Sequence, residues 1–183
     1  MSEELIIRHC SPTLAGLKTG SLFRCSFVSR KQLINDICKM NRRLMSKGVR
    51  IIPLNISENS ALIYVYRPSK LSQDFSSSDA AQILSELGYS CELPGRCIVH
   101  LADRLRESTD FPHEIGLFLG YPPEDVLGFI QNRAKHSKLS GYWKVYGDEE
   151  KARKLFSQYK KCTDAYIRQH STGHSLENLT VSV

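Results

Sequence analysis

Between Ser29 and Tyr66 the chain is committed to a helix followed by a β-hairpin, and no all-helical or all-strand fold accommodates both. Ser29 and Gln32 have the spacing of a capping box. Leu33, Ile34, Ile37, Cys38, Leu44 and Met45 then mark one helical face, and Gly48 supplies a stop, so a helix is predicted over about 30–47. Two runs rich in aliphatic and aromatic residues follow, Val49 to Ile56 and Ala61 to Tyr66, separated by the four residues Ser57 to Ser60. Such spacing predicts antiparallel pairing. Pro53 cannot donate a ladder hydrogen bond, which places its strand at an edge or gives it a bulge.

The rest of the chain supplies more helices than strands. Residues 3–10 read as a short helix, with Pro12, Gly16 and Gly20 predicting an irregular or short-strand path beyond it. Ser69 to Ser78 reads as a loop, Ala80, Ile83, Leu84 and Leu87 as a helical face ended by Gly88, and Cys97, Ile98, Leu101, Ala102 and Leu105 as a helix over about 95–107. Pro112 and Pro122 suit first helical turns, with Gly120 between them as a stop, so a helix–turn–helix unit is predicted, in the broad structural sense. Tyr142 to Tyr146 alternates and reads as a third main strand, followed by Asp148 as the cap of a last long helix. The fold class is therefore α+β, a small, mainly antiparallel sheet of at least three strands covered by several helices. Residues 1–170 are expected to form one globular domain, and 171–183 a polar, frayed C-terminal tail.

Composition narrows the setting. A chain of 183 residues with 41% hydrophobic and 24% charged residues can bury a core, and no apolar run approaches the roughly 20 residues that cross a bilayer. The six cysteines are scattered without a CxxC pair, and the first residues do not resemble a signal peptide. A cytoplasmic protein with reduced thiols and no membrane partner is expected. The net charge of +6 is concentrated: residues 30–50 hold seven basic side chains against Asp36 alone. Lys39, Arg42, Arg43 and Lys47 make an anion surface there, although positive charge also complements the C-terminal end of a helix. Without a readout motif, nucleic acid would be bound weakly and without specificity.

Candidate chemistry concentrates between Phe111 and Gly147. His113 beside Glu114 offers an acid/base group and a carboxylate to orient it, although neighbours on a helix point about 100° apart. Lys18, Tyr142 and Lys144 are candidate ligand-binding groups, two amines and a phenol suited to an anion. Cys91, Cys97, His100 and the pair His9-Cys10 have ligand chemistry but not the spacing of a zinc site, so no metal or cofactor is indicated. Cys10, at a bend before Ser11-Pro12, is a candidate nucleophile.

The segments HCSPTLAGLKTGSLF (9–23), VYRPSKL (65–71), FPHEIGLFLGYPPEDVLGFI (111–130) and GYWKVYG (141–147) together resemble a bacterial family, domain of unknown function 3793. The resemblance extends to about Lys161 and implies a bacterial, cytoplasmic domain. It assigns no catalytic role to any residue. The leading expectation is a binding or accessory protein with a surface for a small anionic ligand or a protein partner near residues 111–146. The alternatives are an enzyme using His113 on a small anionic substrate, and a weak phosphate or nucleic-acid binder through the basic helix.

Overall fold

Ser2 accepts a hydrogen bond from the backbone N–H of Leu5 and so opens the first helix, α1 (Glu3–Leu14). In the computed structural model, which describes residues 1–90, 93–107 and 110–182, α1 leads into strand β1 (Gly20–Ser26) and helix α2 (Arg30–Leu44). The hairpin β2 (Arg50–Ile56) and β3 (Ser60–Tyr66) comes next. The internal contacts of the chain divide it into two units, Met1–Ser69 with Tyr159–Val183, and Lys70–Gln158.

The first unit is built on an antiparallel sheet of order β1-β3-β2. Central β3 is buried at five consecutive positions, Ala61 to Val65, as expected of a strand paired on both edges. Pro53 sits on edge strand β2, and the register shifts between Pro53 and Asn55, so both consequences of its missing N–H are realised. Ser29 caps α2 as its spacing predicted, and Leu33, Ile37, Met40 and Leu44 bury one side of that helix. A single 3-10 turn, Met45–Lys47, and Gly48 at φ 73° then reverse the chain into β2.

Arg67 ties this unit together. Its side chain is fully buried, and its guanidinium donates to the carbonyls of Thr13 (2.6 Å), Leu14 (2.6 Å), Val181 (2.7 Å) and Lys47 (3.1 Å). Two of those acceptors lie at the C-terminal end of α1, where helix carbonyls have no partner in their own helix.

In the second unit, α3 (Pro68–Phe75) leads in, followed by α4 (Ser78–Glu86), α5 (Pro94–Glu107), α6 (Ile115–Phe118) and α7 (Pro123–Asn132). A two-stranded ribbon, β4 (Leu139–Ser140) with β5 (Lys144–Val145), then precedes α8 (Glu149–Ser171). Asp148 caps α8 by accepting from the N–H of Lys151 at 2.9 Å, and from Tyr159 onward the helix belongs to the first unit. The short α9 (Leu176–Leu179) closes the chain. None of the described helices is long and apolar enough to cross a membrane.

Four sequence expectations are corrected. The third strand of the sheet is β1, not Tyr142–Tyr146, of which only Lys144 and Val145 pair, with the ribbon strand β4. The N–H groups of Tyr146 and Gly147 are instead taken by a side chain, described below. Helix α1 continues through Pro12 to Leu14, because a proline two residues from the end removes only one intrahelical bond. The serine-rich stretch contains α3, whose Leu71 and Phe75, four residues apart, are both buried. The C-terminal segment is not frayed: Leu176 and Leu179 belong to the core of the first unit with Ile6, Leu14, Leu44 and Val65.

Candidate functional site

One face of α5 carries Arg96, His100 and Arg104 at successive turns, and these line a shallow groove that is largely open to solvent. Val99 contributes an exposed apolar wall, and Asp103 and Glu107 stand toward the other end. Asp103 is engaged by Arg106 in an ion pair one turn along the helix.

The groove is backed by a buried polar cluster. Tyr89 is 4% exposed, and its hydroxyl donates to Glu114 Oε1 at 2.7 Å. Arg104 Nη1 pairs with the same carboxylate oxygen at 3.2 Å, and the Arg104 guanidinium lies 5.9 Å from the centre of the Tyr89 ring. The His100 ring stacks on Tyr89 with centroids 4.3 Å apart. Burial first, and then the neighbouring Glu114 carboxylate, push the Tyr89 hydroxyl well above the ordinary tyrosine range. A neutral tyrosine and a cation thus share one carboxylate, which fixes both the phenol and the arginine. The His100 imidazole and the Arg104 guanidinium reach the groove, while the Glu114 carboxylate and the Tyr89 phenol are buried and fix them from behind.

The candidate residues of 111–147 have separate fates. His113 and Glu114 are adjacent in the chain but lead to different surroundings: Glu114 is 2% exposed within the cluster, whereas His113 is exposed, its ring 4.8 Å edge-on from Phe129. Tyr142 is 43% exposed and its ring tilts against Phe156, and Lys144 lies in the β4–β5 ribbon. The cavity lined by Pro122, Asp125, Trp143 and Lys151 is of about 10 Å³, too small for a ligand.

What this segment does instead is hold itself together through Asp125, in the first turn of α7. The buried Asp125 carboxylate accepts from the Trp143 indole at 2.7 Å and from the backbone N–H groups of Tyr146 (2.7 Å) and Gly147 (2.8 Å). Gly128 lies so close to Tyr146 that an added Cβ would stand 2.5 Å from its ring, and one at Gly116 would stand 2.7 Å from Val126. These glycines permit close approach of α6, α7 and β5.

Lys18 belongs to the first unit, whereas Tyr142 and Lys144 belong to the second. It is 8% exposed and close to Cys10, whose thiol is hydrogen-bonded to Ser21, and Ser21 Oγ in turn lies 2.9 Å from Thr13 Oγ1. Burial lowers its amine to about 8, opposed weakly by Cys10. The Cys10 thiol is completely buried and is pushed strongly upward by that burial, which suits an inert core thiol rather than a nucleophile. His9 turns away to stack on Phe23. Cys97 donates to the Ser90 carbonyl at 3.2 Å, and Cys91 lies outside the described residues. Among the described residues no three His, Cys, Asp or Glu side chains form a set that could hold a metal ion.

The anion surface is divided as well. Lys39 and Arg42 are exposed, but Arg43 pairs with Glu3 at 2.5 Å and Glu177 at 3.4 Å, and Lys47 is half-buried.

The family described as protein of unknown function (DUF3793) matches residues 6–180. The chain belongs to this family. Searches of the curated proteins and of the solved structures return no match. The DUF3793 match spans both units and includes α9, beyond the limit near Lys161 at which the sequence resemblance stops. Of the segments that carry the DUF3793 resemblance, VYRPSKL supplies Arg67, HEIGLFLGYPPEDV supplies Glu114, Gly116 and Asp125, and GYWKVYG supplies the partners of Asp125. In this chain their clearest work is architectural.

Proposed function

We propose that this protein is a cytoplasmic bacterial binding protein that holds a small anionic ligand in the groove along α5. The observation that carries the reading is the alignment of Arg96, His100 and Arg104 on one face, with Arg104 and His100 held from behind by Glu114 and Tyr89. A guanidinium already fixed by a buried carboxylate loses little freedom on meeting an anion, so more of the interaction appears as affinity. This reading puts the ligand surface along 95–107 rather than near 111–146, with Glu114 buried behind it and holding Arg104. The cytoplasmic setting is supported by the cysteines, since Cys10, Cys25, Cys38, Cys97 and Cys162 are all free thiols.

The test is NMR titration of the histidine ring signals with inorganic phosphate and, separately, citrate. The expected result is a saturable shift of the His100 signals with at least one anion. That shift should weaken at least tenfold in affinity in Arg96→Gln, an exposed position whose substitution leaves the fold intact. No saturable shift at His100 with either anion, or equal affinity in Arg96→Gln, would overturn the proposal.

A further inference from the structure

We propose that the outward stripe of α2, from Lys31 to Met45, docks an acidic amphipathic helix of a protein partner. This surface lies in the first unit, and its argument is independent of the α5 groove.

Helix α2 spends its apolar face on the core of its own unit through Leu33, Ile37, Met40 and Leu44. One flank is consumed by ion pairs and hydrogen bonds. Asp36 accepts from the Met1 ammonium and from Gln32, both at 2.7 Å, while Arg43 is held by Glu3 and Glu177. What remains facing outward recurs at helical spacing: Lys31, Ile34, Cys38 and Arg42, with Lys39 beside them and Met45 at the end. Asp36 is the only acid between residues 30 and 50, and it lies on the flank, where its carboxylate interacts with Lys39, so Lys31 and Arg42 are the cations that the stripe presents away from it.

The stripe is not purely cationic, and that decides the kind of partner. Ile34 is 36% exposed and Met45 50%, one near each end of a path of about 20 Å at 1.5 Å per residue. Alternating cation and apolar contact over about four turns is the complement of a helix with Glu or Asp flanking a narrow apolar seam. A phosphate backbone would use the cations and leave Ile34 and Met45 without a counterpart, and the stripe has no aromatic ring on which a base could stack. A lipid surface would need the broad apolar face of α2, which is already buried.

The probe is a synthetic helical peptide with a leucine seam flanked by glutamates. The readout is the methionine methyl NMR spectrum, in which Met45 is exposed and Met40, 7% exposed on the inner face of the same helix, serves as the internal reference. The peptide is expected to shift Met45 but not Met40. Lys31→Glu with Arg42→Glu should abolish the shift, and Ile34→Asp should weaken binding at least fivefold, while all three changes, at exposed positions, leave the Met40 signal in place. Single-stranded or duplex DNA, or anionic phospholipid vesicles, shifting Met45 as strongly as the peptide and without regard to Ile34→Asp, would overturn the proposal. So would the absence of any peptide-dependent Met45 shift.

Discussion

Asp125 Oδ2 accepts the indole N–H of Trp143 at 2.7 Å across 18 residues, and the other carboxylate oxygen accepts two backbone N–H groups of the same loop. A bend that bares N–H groups inside the protein needs an acceptor there, because an unmet buried donor costs about 1–3 kcal/mol. Asp125→Asn keeps one oxygen and presents an amide N–H to the indole N–H, so donor meets donor. The expected loss is about 2 kcal/mol by chemical denaturation. Trp143→Phe removes the opposing donor, and the double variant should be about 1 kcal/mol less destabilised than the two single losses combined. Strict additivity would show that the two side chains are not coupled.

Glu114 and His113 provide a contrast between sequence neighbours. Glu114→Ala removes the acceptor of the Tyr89 hydroxyl and the counter-ion of Arg104 inside the protein, and an expected loss of about 3 kcal/mol follows. His113→Ala deletes an exposed ring with an edge contact to Phe129, worth no more than about 1 kcal/mol. Equal effects in urea denaturation would contradict the separate surroundings described for the two residues.

What was legible in the sequence was whatever depends on neighbours in the chain. The Ser29 cap, the face of α2, the hairpin and the dislocation at Pro53 all follow from local stereochemistry, and each appears in the fold. The candidate site depended on long-range meetings, and there local reasoning fell short. Glu114 was singled out for its position beside His113, yet its partners come from Tyr89 and Arg104, at no fixed spacing. Tyr142 to Tyr146 alternated like a strand, but alternation cannot reveal that Asp125 takes the N–H groups a sheet would need. The Asp-Val step after two prolines gave no sign of a three-bond acceptor, and Arg67 before Pro68 gave none of a buried guanidinium serving four carbonyls.

The thiols should separate by exposure. Cys38 is exposed on α2, whereas Cys10, Cys25 and Cys97 are buried and burial raises the Cys162 thiol to about 11. An aromatic disulfide reagent on the native protein should therefore give a rapid phase that loses one thiol equivalent in Cys38→Ser. Dithiothreitol should leave the melting temperature unchanged, as all five are free. A rapid phase unaffected by Cys38→Ser would contradict the assigned exposures.

Lys18 links burial to pH. Its amine is lowered to about 8 in the folded chain, chiefly by burial, against about 10.4 for an ordinary lysine. Below about pH 8 both states hold the proton and the cost of burying the cation is fully present. Between about 8 and 10 the unfolded chain binds a proton that the native chain has released, so this residue makes stability rise with pH, by a total on the order of 3 kcal/mol. Other groups oppose it: Cys10, Cys25 and Cys162 are raised by burial, as are Tyr66, Tyr89 and Tyr166, and each contributes stability that is lost as pH rises. The lysine is therefore isolated as a difference. Urea denaturation of the wild type and of Lys18→Met at intervals from about pH 7 to 9.5 should give curves that run parallel at the acid end. Above about pH 8 the wild type should gain relative to the variant. Parallel curves throughout would mean that the Lys18 amine titrates as it does in the unfolded chain, and that its burial does not perturb it.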